Sequence, residues 1–530
     1  MNLHILSTFC PEPIGKREII ACPLGLRSPN VHSLLYIVEK AAVIIYNHAR
    51  HLKSLFFRLC NKIALAILKG RAISMGGFDE YGKVELGDER LSNRLPIVLE
   101  QLAGNPTASI SAACMDPYQA KAVYRLLANK NVTTEAITDI TRKITIGNIV
   151  AAKPSVVLIP EDTTEMNYTN LKATEGLGSI GGSVSLKGLH VHSATAIGES
   201  GEIFGLLAQK IWARPHDTFG VAVNRANVPI EDKESYKWLD TMVNAQRSLP
   251  EDIFAVHVCD REGDIYEFFC KAAEIKANYL CRKQYNRAID DENGNKKLDE
   301  YMAGRPVAGR ITVSVPRDSH TKRVSREAVL EIKHGKCTVP KPRNLAKNNE
   351  LPDSIEVYVV SAVEINPPKG QAGISWQLVS NVPTESFDEA VTLVRWYTQR
   401  WNIETFHRTL KSGCKVEDLQ FETAGKLMKL TAIYSIIALH IMHVSHLART
   451  RPEESCEICL TEDEWEILHK VANKTKELPS KPPTIHEAVV MIAKLGGFLG
   501  RKSDGFPGVT VIWRGLTKLY TILDAAEFLG

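Results

Sequence analysis

From residue 91 to 102, apolar side chains recur every three to four positions, the repeat of one buried helix face, and Gly104-Asn-Pro106 closes the run. Two further stretches, 118–127 and 134–144, keep that period. After about residue 149 the pattern changes to short apolar, β-branched runs at 155–159, 189–197, 202–213 and 253–259, which predict buried strands. Helical spacing returns at 265–275, so the last of these strands feeds a helix. Strand signals at 279–282, 310–315, 328–332, 354–363 and 374–380 then predict an inserted antiparallel β-subdomain. Residues 426–448 are apolar and helical, and Thr461 followed three residues later by Glu464 marks another helix start. The Gly- and Ser-rich connection 176–188 is long enough to form a mobile loop.

Composition narrows the class without choosing a function. A chain of 530 residues that is 44% hydrophobic can bury a large core, and its length predicts two to four domains. The formal charge of +4 neither supports nor excludes a nucleic-acid partner, because acids and bases can segregate to different faces. The stretch 317–347 is locally basic, which fits either a nucleic-acid surface or a β-hairpin edge protected by charge. Eleven scattered cysteines form no disulfide framework and point to a reducing cytoplasm. Cys456 and Cys459 form a lone CxxC with no second pair to close a zinc site, as expected of a chance pair on a polar loop. Residues 34–68 are apolar but interrupted by Lys40, His48, Arg50, His51, Lys53, Arg58 and Lys62, too broken for a spanning helix, and no signal peptide precedes them.

Two of the predicted strands end in a carboxylate, Asp162 after 156–160 and Asp260 after 253–259. Open sheets gather ligands outside the carboxyl ends of their strands, so two such aspartates can converge on one point. A third carboxylate stands out in the helical stretch that carries Tyr397, Arg400, Glu404 and Lys411, where steps of three, four and seven residues predict one face of one helix. With Glu404 packed against the strand ends, three hard oxygen donors form a cage suited to magnesium or manganese, and no His and Cys spacing competes for the role. Glu161, Glu262 and Asp264 are the neighbouring decoys. His190 and His192 alternate on one strand and face the same side, where they can support the site from behind.

At these residues the chain resembles the bacterial insertion-sequence transposases of the DDE type, in the subgroup with a Y-(2)-R-(3)-E-(6)-K signature: Tyr397, Arg400, Glu404 and Lys411 fall at its intervals. Leu86-Gly-Asp-Glu-Arg-Leu91, Ala122-Val-Tyr-Arg-Leu126, Glu161-Asp-Thr-Thr164, Cys259-Asp-Arg-Glu262, Glu364-Ile-Asn-Pro-Pro-Lys-Gly370 and Ile492-Ala-Lys-Leu-Gly-Gly-Phe498 are similar to that subgroup in the same order. The resemblance implies an α/β fold with a ribonuclease-H-like core, an inserted antiparallel β-subdomain, an N-terminal helical DNA-binding domain and a C-terminal helical region. It divides the chain into 75–148, a domain gripping the transposon end; 149–425, the catalytic domain with its insertion at about 279–380, explaining the step of 144 residues from Asp260 to Glu404; and 426–530, a helical region with a dimerisation role. The family's usual start resembles Met75-Gly-Gly-Phe-Asp-Glu-Tyr-Gly, so residues 1–74 read as an upstream-start artefact of uncertain fold.

What the resemblance implies for function is metal-dependent DNA cleavage and strand transfer by cut and paste, through a hairpin intermediate. Asp162, Asp260 and Glu404 are then catalytic carboxylates holding two magnesium or manganese ions, with Tyr397, Arg400 and Lys411 on phosphates beside them. Trp376 and Arg282 match residues near a nucleotide displaced from the element's end, and Arg90, Arg94, Lys121 and Arg125 offer phosphate contacts in the N-terminal domain. The implied partners are double-stranded DNA, as terminal inverted repeats and target, and a second copy of the chain; no membrane is involved, and the setting is the bacterial cytoplasm at the nucleoid. The competing readings are a nuclease that hydrolyses without joining, and an inactive or non-joining DNA-end-binding relic.

Overall fold

The computed structural model describes residues 78–529 apart from 84–85, 115, 216–227, 292–293, 316–325, 344, 346–349 and 502–503. The expectations for residues 1–74, and for much of the basic stretch 317–347, including Lys322 and Arg323 within it, lie outside the described residues.

Four helices lead the described chain: α1 (Glu89–Gly104), α2 (Ile110–Cys114), α3 (Pro117–Ala128) and α4 (Thr134–Ala152). Asp88, Asp116 and Thr133 cap α1, α3 and α4 by accepting backbone N–H groups that a helix start leaves unpaired. In α1 the apolar face is Leu95, Val98, Leu99 and Leu102, all buried. The helix expected to end at 144 runs eight residues further and belongs physically to the sheet. Its polar side chains explain why: Arg142 donates to the Leu207 carbonyl, Thr145 to that of Leu206 and Asn148 to that of Phe204, at 2.9, 3.1 and 2.9 Å.

Twelve strands among the described residues form one sheet. Its first part comprises β1 (Val157–Asn167), β2 (Gly178–Ile180), β3 (Ser183–Gly198), β4 (Ile203–Trp212), β5 (Ala255–Cys259) and β6 (Asn278–Arg282). β4, β3 and β1 pair antiparallel, and β5 and β6 join β1 in parallel, the strand order of a ribonuclease-H-like core. Helices α5 (Tyr236–Gln246) and α6 (Tyr266–Glu274) follow β4 and β5.

Two expectations change here. The Gly-rich connection forms a hairpin instead of a mobile loop: Ile180 pairs with Ser183 across Gly181 and Gly182, whose φ values of +60° and +69° suit a tight two-residue turn that side chains with a Cβ resist. Asp162 is also not the last residue of its strand, because Thr163, Thr164 and Glu165 continue the ladder against His192, Val191 and His190 of β3. It lies instead where the parallel neighbour stops.

The sheet continues through the insertion. β7 (Ala288–Asp291), β8 (Gly294–Lys297), α7 (Leu298–Gly304), β9 (Gly309–Val315), β10 (Arg326–Pro340), β11 (Ser354–Glu364) and β12 (Ser375–Ser380) precede the return of β12 to β6. The insertion is thus hydrogen-bonded onto the core sheet.

After it come α8 (Phe387–Thr398), α9 (Trp401–Arg408), a π-helical turn Thr409–Gly413, and α10 (Ala424–Thr450). α10 is long and apolar enough to cross a membrane by length and composition, yet 83% of its apolar window is buried. A helix apolar all round fits a core position. Ser435 bonds Gln209 of β4 at 3.0 Å, and the His443 ring meets the Ile203 carbonyl at 3.2 Å. The last helices are α11 (Glu462–Asn473), α12 (Ile485–Leu495) and α13 (Val509–Leu529). Thr461 and Glu464 form the expected reciprocal cap at the start of α11. Cys456 and Cys459 are buried in a short turn beside Pro483, not on a polar loop.

Candidate active site

Asp162 and Asp260 are neighbours because of strand register. The parallel ladder between β1 and β5 ends at Pro160 and Val258, and two residues further along the chain stand Asp162, still within β1, and Asp260, just past the end of β5. Asp260 leaves the sheet by capping a short turn: its Oδ1 accepts the Glu262 N–H at 2.8 Å. Asp162 Oδ1 accepts the Thr163 N–H at 2.8 Å, and its Oδ2 lies 3.9 Å from Arg400 Nη1.

Burial raises the Asp162 carboxyl to about 7, and the charge of Asp260 adds to the rise, against relief from Arg400 and the Thr163 N–H and a further push from Glu404. Burial likewise raises the Asp260 carboxyl, with Arg400 and Lys237 opposing. Two carboxylates that resist ionising together invite a cation between them. In this structure the guanidinium of Arg400 supplies one, ion-paired with Glu404 and close to Asp162. No group of three or more His, Cys, Asp or Glu residues close enough to share a metal ion is assembled among the described residues. The donor chemistry of the three carboxylates fits a hard divalent ion, while the closed cage expected from the sequence is not formed.

The row of Tyr397, Arg400, Glu404 and Lys411 does not lie on one uninterrupted helix. Tyr397 lies in the last turn of α8, Arg400 immediately precedes α9, Glu404 is within α9, and Lys411 belongs to the π-helical turn. At the junction the bonds tighten to three-residue steps, Arg400 N–H to Tyr397 and Asn402 N–H to Gln399, while the backbone stays near helical angles. Tyr397 is buried, its ring edge-on to Trp376 at 5.3 Å and beneath the Arg400 guanidinium at 6.0 Å. Lys411 reaches across to β1, donating to the Glu165 carbonyl at 2.8 Å, and lies 3.5 Å from a Glu417 oxygen. Trp376 is on β12 and Arg282 on adjacent β6, where its guanidinium donates to the Ser375 carbonyl at 3.1 Å. In the N-terminal helices Arg90, Lys121 and Arg125 are exposed, whereas Arg94 is bound to Gln119 at 2.6 Å and ties α1 to α3.

Three family comparisons match this chain: the transposase DNA-binding family over residues 78–132, the transposase DDE domain over 282–438, and the transposase Tn5 dimerisation domain over 436–529. The chain is a DDE-type DNA transposase. Among solved structures, the cryo-EM structure of the piggyBac transposase synaptic complex with hairpin DNA is similar at 12% identity, covering 88% of this chain and 77% of that one with a TM-score of 0.32, a likeness too slight to bear weight. The DDE match contains Glu404 but begins after both aspartates, so Asp162 and Asp260 rest on the register described above.

The decoy carboxylates of the transposase have other partners. Glu161 points to the opposite face of β1 and is fully buried between His257 and His192. Glu262 is exposed and pairs with Lys237 at 3.1 Å. Asp264 is buried against Arg287 at 2.6 Å and accepts the Gln284 and Tyr285 N–H groups. His190 stacks on Trp212. The sequence reading missed His407, one turn beyond Glu404 on α9, whose buried ring places Nδ1 4.0 Å from Asp162; its spacing from Glu404 was the available signal. It also missed Lys237, nearly buried on α5, for which no local pattern exists.

Proposed function

We propose that this transposase belongs to the Y-R-E-K subgroup and moves its insertion sequence by cut and paste, with Asp162, Asp260 and Glu404 as the carboxylate ligands of two magnesium or manganese ions. One observation carries the reading: two half-buried carboxylates stand side by side at the end of a parallel ladder, where burial raises the proton affinity of both and the charge of Asp260 raises that of Asp162 further, with a third carboxylate on the helix packed over them. Bound divalent ions supply activation of the attacking oxygen and stabilisation of the leaving one.

The remaining tasks belong to side chains. Arg400 turns from Asp162 and Glu404 towards a phosphate once those carboxylates are otherwise neutralised, and Tyr397, fixed by Trp376, backs its guanidinium. Lys411 braces the turn after α9 against β1. Trp376 and Arg282 hold a nucleotide displaced from the element's end, favouring a hairpin product. Arg90, Lys121 and Arg125 contact phosphates of the terminal inverted repeat, the residues matched to the dimerisation family join two copies on DNA, and the protein works at the nucleoid in the cytoplasm.

The test is cleavage of a duplex carrying the repeats that flank the coding sequence. Glu404→Ala is expected to bind that duplex like the parent and to show no magnesium-dependent cleavage, while the parent joins a pre-cleaved end to target DNA. Parental cleavage by Glu404→Ala removes the carboxylate assignment, hydrolysis without joining identifies a nuclease, and binding alone by the parent identifies a relic.

A further inference from the structure

We infer that Glu161 is a positioning residue: clamped between imidazoles from the two strands flanking β1, it sets the spacing of Asp162 and Asp260. The inference rests on the carboxylate reading above and adds what holds the pair in place.

Successive residues of a strand point to opposite faces, so Glu161 lies directly behind Asp162. It has no solvent exposure. A carboxylate there needs partners. His257 of β5 supplies one, with Nδ1 2.5 Å from Oε1, and His192 of β3 supplies the other, with Nε2 3.5 Å from Oε2. Neither that Oε2 nor that Nε2 has a hydrogen-bond partner, so the His192 side of the clamp is a 3.5 Å electrostatic contact.

His192 Nδ1 meets the Thr163 hydroxyl at 2.8 Å, which ties the ring back to β1. His257 faces the carboxylate through Nδ1, and its Nε2 lies 3.4 Å from the Gln246 side-chain oxygen.

Position makes the network matter. The backbone ladder between β1 and β5 ends at Pro160 and Val258, one residue before Glu161 and two before Asp260. Past that rung, the bond from Glu161 back to His257 is a side-chain tie across the two strands. Through His192 the same carboxylate reaches β3, and through His257 and Gln246 the chain reaches α5. An apolar residue at 161 removes the tie and leaves two buried imidazoles without their carboxylate.

The test is Mn2+ binding to the DNA-free full-length chain, read from the electron paramagnetic resonance of free Mn2+, beside the Mn2+ midpoint of end cleavage. Glu161→Ala is expected to weaken both by about tenfold, with the rate at saturating Mn2+ little changed, and Glu161→Gln to recover most of the loss. Leu468→Ala, which removes a buried side chain on α11, serves as the control for lost stability alone and leaves both values parental. If Glu161→Ala does not fold, His192→Gln removes one imidazole and shifts both values by about threefold in the same direction. Parental Mn2+ binding in the variant tested, or an equal shift in Leu468→Ala, overturns the inference. Retained Mn2+ binding in Asp162→Asn instead overturns the carboxylate reading, and the inference falls with it.

Discussion

Replacing Arg400 with methionine should strengthen metal binding while slowing catalysis. The Arg400 guanidinium is 3.9 Å from an Asp162 oxygen and ion-paired with Glu404. One unit-charge pair at that distance is worth about 4 kcal/mol in an effective dielectric of about 20. The Arg400 and Asp162 side chains are 15% and 21% exposed, so water screening and the desolvation already incurred leave a net of about 1–2 kcal/mol. A divalent ion entering the DNA-free site must displace that attraction. Removing the competitor therefore improves Mn2+ affinity by about tenfold, the equivalent of about 1.4 kcal/mol. On DNA the sign reverses, because the same guanidinium is then needed on a phosphate; losing one charge-assisted contact of about 3 kcal/mol slows single-turnover cleavage by about a hundredfold at saturating Mn2+. Both measurements belong at pH 8, above the value of about 7 for Asp162. Weaker Mn2+ binding in Arg400→Met, or cleavage at the parental rate, would refute this account of Arg400.

Other parts of the fold make separate predictions. Gly515→Ala places a Cβ 1.7 Å from the Ile492 carbonyl oxygen at the α12–α13 crossing, so it should cost about 3 kcal/mol in urea unfolding; an unchanged midpoint would deny that contact. Arg90→Gln, Lys121→Gln and Arg125→Gln should each weaken binding to the transposon end and lower the salt slope by about 1, whereas Arg94→Gln should reduce stability instead, by breaking its bond to Gln119. His443 is held neutral to about pH 3 by burial, aided by the charge of His440. The unfolded chain takes up a proton there near 6.5, so stability is constant above that pH and falls from 6.5 towards 3 by up to about 1.4 kcal/mol per unit. His443→Gln should flatten this slope by one proton, and an unaltered slope in pH-dependent urea melts would contradict it.

Asp162 and Asp260 were legible because each follows an apolar run that only a buried strand explains. The true length of β1 was not, since Thr163, Thr164 and Glu165 are polar and are kept in the strand by backbone pairing with β3. Periodicity also hid the break between α8 and α9: side chains keep nearly helical spacing when only the hydrogen bonds shorten to three residues. α4 runs past its expected end for a related reason, as Thr145 and Asn148 look like surface residues until β4 presents carbonyls to them. Glu161 read as a decoy beside Asp162, and its partners, His192 and His257, are 31 and 96 residues away, beyond the reach of local pattern.

The most direct measurement of the central claim is the anomalous scattering of Mn2+ in crystals of the protein bound to its transposon end. The account predicts two peaks about 4 Å apart, with oxygens of Asp162, Asp260 and Glu404 about 2.1 Å from them and Arg400 turned onto a phosphate. Peaks ligated by Glu262 or Asp264, with Glu404 still paired to Arg400, would contradict it.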